Sequence, residues 1–229
     1  TLPSDITLID EHLDRIWPGM GYQIAWEETA ERSQAHNASV RLLGWLAQHS
    51  ESSAIVESQL SLSKKVSIAD SQGNEREVDI SISGRADRIE FAADGVTVYD
   101  FKTSQKELKK TEVLKGIQLA LYTLMVQEGQ YEQDKVRRSV EAGTPVKGAA
   151  LVYLRLNDAG QEGLPLVQFA DNGAHDRANK NATVDQRLAN AAQIIVNEQY
   201  ATTYTEFGCA RCEVRFMCPA VPQGRQVLS

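Results

Sequence analysis

Asp87, Asp100 and Lys102 are the residues of this chain best spaced to do chemistry together. They stand in Gly84-Arg85-Ala86-Asp87-Arg88-Ile89 and Tyr99-Asp100-Phe101-Lys102-Thr103, on either side of Asp94-Gly95. An Asp-Gly pair is the strongest short-range signal of a β-hairpin. A two-residue Asp94-Gly95 loop sets Asp87 opposite Lys102, and a loop over residues 92–95 sets it opposite Asp100. Opposed residues share a face, as do residues two apart on a strand, so either register gathers all three side chains. Two carboxylates so close repel unless a cation sits between them. A hard divalent ion such as Mg²⁺, held by oxygen ligands, suits the pair. Lys102 beside it could orient or deprotonate a water, or steady the charge of a transition state. The bland alternative is a cross-strand ion pair on a wet surface. Residues 96–101 favour the chemical reading. They are largely apolar on both faces, as in a central strand, where a charge is costly unless it is used or paired.

Three further groups of residues could join this chemistry. Gln118 and Tyr122 lie four apart in a predicted helix over residues 111–129. That spacing puts an amide and a phenol on one helical face, within reach of a phosphate, a nucleobase or a metal. Tyr122 could equally belong to the apolar stripe of Leu114, Leu121 and Met125. Lys102, Lys106, Lys109, Lys110 and Lys115 form a basic run that could draw a nucleic-acid strand toward the carboxylates, or could simply be a solvated loop and helix start. The cysteines number three, Cys209, Cys212 and Cys218, in a Cys-x2-Cys-x5-Cys pattern followed by Pro219. An odd count clustered in one segment argues for metal rather than a disulfide framework; the alternative is small apolar fillers.

The elements that must position these groups read as strands between helices. Residues 6–17 form a predicted short helix stopped by Pro18-Gly19, and residues 25–48 a long one. Residues 54–69 and 76–85 alternate as strands around the turn at 70–74, and the hairpin with Asp87 and Asp100 follows. Residues 148–156 and 164–169 are predicted strands, residues 183–198 a helix, and residues 132–145 and 170–181 loops. The pattern predicts an α/β layered fold with a mixed sheet.

Taken in order, Glu57, the Gly84–Ile89 segment, Asp100-Phe101-Lys102-Thr103 and Gln118-Leu119-Ala120-Leu121-Tyr122 resemble the successive motifs of the RecB-type nucleases of the PD-(D/E)XK superfamily. The Trp17-Pro18-Gly19 segment and the closing Cys218-Pro219-Ala220 and Gly224-Arg225-Gln226-Val227 segments look most like the C-terminal nuclease domain of an AdnAB-type helicase–nuclease subunit. The resemblance runs from about residue 56 to the C-terminus. It implies a restriction-endonuclease-like core, a central mixed β-sheet flanked by helices. It implies Asp87 and Asp100 as ligands of Mg²⁺ or Mn²⁺, the Phe101 carbonyl as a further ligand and Lys102 as the catalytic lysine. Glu57 would be the first acidic motif, and Gln118 and Tyr122 the Gln-x-x-x-Tyr motif along the DNA path with Lys106, Lys109 and Lys110. Cys209, Cys212 and Cys218 would supply three of the four thiolates of a 4Fe–4S cluster. The family's fourth cysteine and its histidine precede this region, and His12 is a weak substitute. The chain opens on Thr1, so the expectation is a piece of a longer protein in which the cluster is absent or incomplete, with a Zn²⁺ or nothing as alternatives.

By resemblance, the expected activity is metal-dependent exonucleolytic hydrolysis of DNA at single-stranded ends. Its setting would be double-strand-break processing and recombinational repair, coupled to helicase domains of the parent chain and a second helicase–nuclease subunit. A catalytically silent DNA-end-binding module and a metal–thiolate regulatory domain are the competing readings. The sequence divides into a helical segment (1–50), the nuclease core (51–205) and a cysteine-bearing segment (206–229), together one domain. The length of 229 residues and a hydrophobic fraction of 42% allow one real core. No apolar run spans a membrane, and free cysteines suit a reducing cytoplasm. The net charge of −7 means other domains would deliver the DNA.

Overall fold

The computed structural model describes residues 2–70, 72–170, 183–197, 204–218 and 220–221; the side chains of residues 2–4 and of Lys115 lie outside that description. Most of the predicted loop at 170–181, Pro219 and the Gly224–Val227 segment also lie outside it. The described chain groups into two compact units, residues 1–64 with 80–184 and residues 65–79 with 185–229.

The first unit begins with helix α1 (Leu2–Ile16), a 3₁₀ turn (Trp17–Met20) and the long helix α2 (Ala25–Gln48). Pro18 opens the turn and Gly21, at φ 71°, closes it. Strands β1 (Ser53–Ala69) and β2 (Glu75–Ala92) follow, then β3 (Gly95–Lys102). The segment predicted as one helix over 111–129 is two, α3 (Lys110–Lys115) and α4 (Ile117–Glu128), because Gly116 takes an extended conformation at ψ 120°. The segment predicted as a loop over 132–145 contributes a small hairpin, β4 (Gln130–Gln133) and β5 (Val136–Arg138). Its turn residues Asp134 and Lys135 both have positive φ, 52° and 62°, the signature of a type I′ turn. A lysine at such a position gives no sequence cue. Strands β6 (Val146–Asn157) and β7 (Pro165–Phe169) complete a seven-stranded sheet of order β5-β4-β1-β2-β3-β6-β7. The β3–β6 pair is parallel, while β2–β3 and β6–β7 are antiparallel. The fold is therefore a mixed α/β sheet flanked by helices, of the restriction-endonuclease-like type.

Strand β3 has apolar partners on both faces. Val96 and Val98 pack with Leu60, Leu62, Ile89 and the α4 residues Leu119, Tyr122 and Met125. Tyr99 and Phe101, one residue out of phase, pack with Trp45 of α2. Period-two alternation thus sends Asp100 and Lys102 to the α4 face.

In the second unit the ends of β1 and β2 meet at a turn where Asp70 accepts the backbone N–H groups of Gln72 and Asn74 at 2.8 and 2.9 Å. Helix α5 (Val184–Val196), helix α6 (Glu206–Ala210) and a 3₁₀ turn (Arg215–Met217) belong to this unit. Asn197 donates to the Ala69 carbonyl at 2.9 Å. No helix among the described residues is long and apolar enough to cross a membrane.

Candidate active site

The β2–β3 hairpin takes the second of the two registers open from sequence. Arg88 pairs with Tyr99 and Ala92 with Gly95, so the turn residues are Ala93 and Asp94, and continuing the ladder sets Asp87 against Asp100. Gly95 enters the ladder because it alone fits: its φ is 135°, and a Cβ there would stand 2.4 Å from the Pro145 carbonyl oxygen. Asp94 turns outward to Lys147 at 2.6 Å.

The two carboxylates are held by different means. Asp87 Oδ2 accepts the backbone N–H of Phe101 at 2.7 Å, so a side chain takes a strand N–H. Asp100 is 4% exposed. Its Oδ1 accepts Gln118 Nε2 at 2.8 Å. The same amide nitrogen donates to the Tyr122 hydroxyl at 3.1 Å, and that hydroxyl donates to the Arg85 carbonyl at 2.8 Å. The α4 pair is thereby tied to both β2 and β3. Gly84 makes room for this approach, since a Cβ there would lie 3.1 Å from Met125 Cε and 3.4 Å from Tyr122 Cε1.

The other oxygen of Asp100, Oδ2, has the Lys102 ammonium 2.5 Å away as an ion pair. This short charge-assisted contact is the partner of the buried oxygen. Burial pushes the Asp100 carboxyl above the usual carboxylate range; Lys102 pulls it down, the charge of Asp87 adds to the rise and Gln118 opposes it. A buried carboxylate whose Oδ2 meets a cation, a facing carboxylate and an all-oxygen donor set suit a hard divalent cation. Asp87 and Asp100 would hold it.

The remaining sequence candidates fall at different distances from this centre. Glu57, at φ 53° in β1, pairs with Arg85 at 2.8 Å, both half-exposed or more. Arg85 in turn is bonded through its carbonyl to Tyr122, so Glu57 joins the centre's periphery. Phe101 takes part through its N–H to Asp87, and its ring packs on Trp45. Lys106, Lys109 and Lys110 are exposed in the segment after β3. That segment is pinned where the Leu108 N–H donates to Tyr153 Oη at 3.1 Å and Gln168 donates to the Leu108 carbonyl at 3.1 Å. In the second unit Cys209 and Cys218 are partly buried, Cys212 is exposed, and all three are free. Among the described residues, no three His, Cys, Asp or Glu side chains converge into a ready metal site. His12 is exposed on α1. Sequence reading missed a charged network on the opposite face of the sheet, Arg88–Glu90–His49. Its signal was present: Arg88 and Glu90 alternate with Asp87 and Ile89 on a strand whose second face is also covered.

Comparison with known proteins agrees with this architecture. The family model described as the PD-(D/E)XK nuclease superfamily matches residues 2–219. No curated protein matches the sequence. A solved structure, the crystal structure of SSO0001, is similar over 85% of this chain and 77% of its own, at 16% identity and a TM-score of 0.38, a likeness too distant to bear on function.

Proposed function

The chain belongs to the PD-(D/E)XK nuclease superfamily, and from that premise we propose that it is a divalent-metal-dependent deoxyribonuclease domain acting on single-stranded DNA ends. The observation that carries the proposal is the buried Asp100 carboxylate, set against Asp87 in the hairpin with the Lys102 ammonium 2.5 Å from its Oδ2. When bound between the two carboxylates, Mg²⁺ or Mn²⁺ supplies Lewis acidity and a water of lowered pKa. The chain's own residues do the rest. Asp87 and Asp100 set the position of negative charge, with the Phe101 carbonyl as an added ligand. Lys102 orients the attacking water and steadies the charge that develops on the scissile phosphate. Gln118 fixes the Asp100 rotamer, and with Tyr122 it lines the strand's path. Lys106, Lys109 and Lys110 attract the phosphate backbone, while Glu57 steadies Arg85 beside it.

The finer assignment follows the RecB-type, AdnAB-like motif order. In that reading the domain degrades strands unwound by helicase motors during double-strand-break repair in the cytoplasm, beside a second helicase–nuclease subunit. Cys209, Cys212 and Cys218 then contribute three thiolates to a 4Fe–4S cluster completed outside this sequence.

The test is cleavage of end-labelled single-stranded DNA in Mg²⁺ or Mn²⁺, compared with duplex DNA and RNA. Removing one charged group from such a centre costs on the order of 10²–10³ in rate, so Asp100→Ala and Lys102→Ala should each lose at least about a hundredfold. Equal cleavage by these variants and the unaltered protein would overturn the assignment. Tight binding to DNA ends without cleavage would instead make the domain a silent end-binding module.

A further inference from the structure

The face of the sheet opposite the carboxylates carries a second constellation that the nuclease reading does not use. Glu90 of β2 is 3% exposed. Its Oε1 accepts Arg88 Nε at 2.7 Å and its Oε2 lies 2.7 Å from His49 Nδ1. The His49 ring stacks on Trp45 with centroids 4.0 Å apart, and Tyr99 meets it edge-on at 5.5 Å. The Arg88 guanidinium lies over the Trp45 ring at 5.7 Å.

A cavity of about 210 Å³ opens beside this network. Its walls include Trp45, His49, Tyr99 and Phe169, with the amides of Gln48 and Gln161 among them. Those amides touch each other only through a long 3.4 Å contact. The cavity is smaller than the roughly 300–1,000 Å³ of sites for drug-sized ligands, so it suits one ring system.

The network fixes what His49 offers to that space. A carboxylate only accepts, so the Glu90 contact places a hydrogen on Nδ1. The other ring nitrogen, Nε2, has no hydrogen bond among the described residues. A buried Arg–Glu pair is a weak source of stability. As structure alone, it also gives no reason for a tautomer-fixed imidazole at the wall of an open cavity. Burial pushes the Tyr99 phenol up to about 12, so that wall stays neutral at working pH.

We propose that this cavity binds a single nucleobase, stacked on the exposed Phe169 ring, with a polar group of its edge meeting His49 Nε2 and with Gln48 and Gln161 pairing with its other edge groups. Aromatic stacking and amide pairing are the general means by which proteins hold a base. The base could come from a free mononucleotide or from a DNA strand, and the site stands apart from the metal chemistry.

The experiment is titration of the whole chain in EDTA, which silences any metal-dependent chemistry. The probes are the four nucleoside 5′-monophosphates, short single-stranded oligonucleotides and abasic oligonucleotides of equal length, read by calorimetry and by the His49 ring resonances. Saturable, base-dependent binding is expected that His49→Ala and Phe169→Ala each weaken at least tenfold. Phe169 is 52% exposed, so its variant will fold even if loss of the Glu90 partner destabilises His49→Ala. Binding of mononucleotides identifies a free ligand, and binding of intact but not abasic strands alone identifies a captured base. Binding that ignores both His49 and Phe169, equal binding of intact and abasic strands, or no binding of either mononucleotides or strands at millimolar concentration would each overturn the proposal. Because metal is absent, failure here leaves the nuclease assay's outcome untouched, and failure there leaves this one.

Discussion

Asp100 is an ionisable group in a dry place: it sits on a central strand, and one of its two oxygens meets only an ammonium. Burial raises its carboxyl, so at neutral pH its ionisation opposes folding. The sign is fixed by the direction of the shift. A raised acid contributes favourably below its unfolded-state value and loses that contribution as pH rises through the folded one. Asp100→Asn is therefore expected to stabilise the metal-free protein near pH 7 by on the order of 1 kcal/mol, a rise of about 2–4 °C in melting temperature for a chain of this size. The gain should shrink as pH falls into the carboxylate range. Mn²⁺ should reverse the order, raising the melting temperature of the unaltered protein and leaving the variant's in place. Melting curves with EDTA and with Mn²⁺ check both. A variant less stable than the parent in EDTA at pH 7 would mean that the Lys102 pair outweighs desolvation.

The hairpin and the helix behind it decide whether such residues meet. The sequence carried most of this: Asp94-Gly95 announced the turn, and the apolar run over residues 96–101 announced a strand covered on both sides. The spacing of Gln118 and Tyr122 announced a shared helical face, and in the fold these two residues do share a hydrogen bond. The turn's own identity was not legible. Asp-Gly favours a loop made of those two residues, yet the close pass of Pro145 draws Gly95 into the ladder. That contact comes from residues fifty positions away, which no local pattern reports. The break at Gly116 was hidden similarly, because helix propensity on both sides is high and a single glycine is tolerated in helices. The buried Arg88–Glu90–His49 network was missed because its histidine comes from another element. Gly95→Ala is expected to destabilise the fold by about 2 kcal/mol or more, through the clash and the disfavoured φ together. Chemical denaturation measures this, and a loss under about 0.5 kcal/mol would show that the Pro145 segment gives way easily.

At the scale of the molecule, charge and layout pull in different directions. The chain is acidic overall, at −7, while Lys106, Lys109 and Lys110 lie exposed just after the strand that bears Asp100 and Lys102. In the proposed reading, a domain so charged would rely on these few local cations to hold DNA. Its affinity for single-stranded DNA should then show a shallow salt dependence, with each Lys→Ala change in this run lowering the slope of log K against log salt by about 0.7. Slopes from binding isotherms between low and physiological salt test this. A slope unmoved by all three changes would place the strand elsewhere on the surface.

One oxygen of Asp87 is already engaged with the Phe101 amide. Such a carboxylate keeps one oxygen wholly open to a cation, while its engaged atom fastens the neighbouring strand. Truncating Asp87 to alanine would thus remove the proposed ligand and loosen the backbone at once, whereas an asparagine keeps the fastening and separates the two.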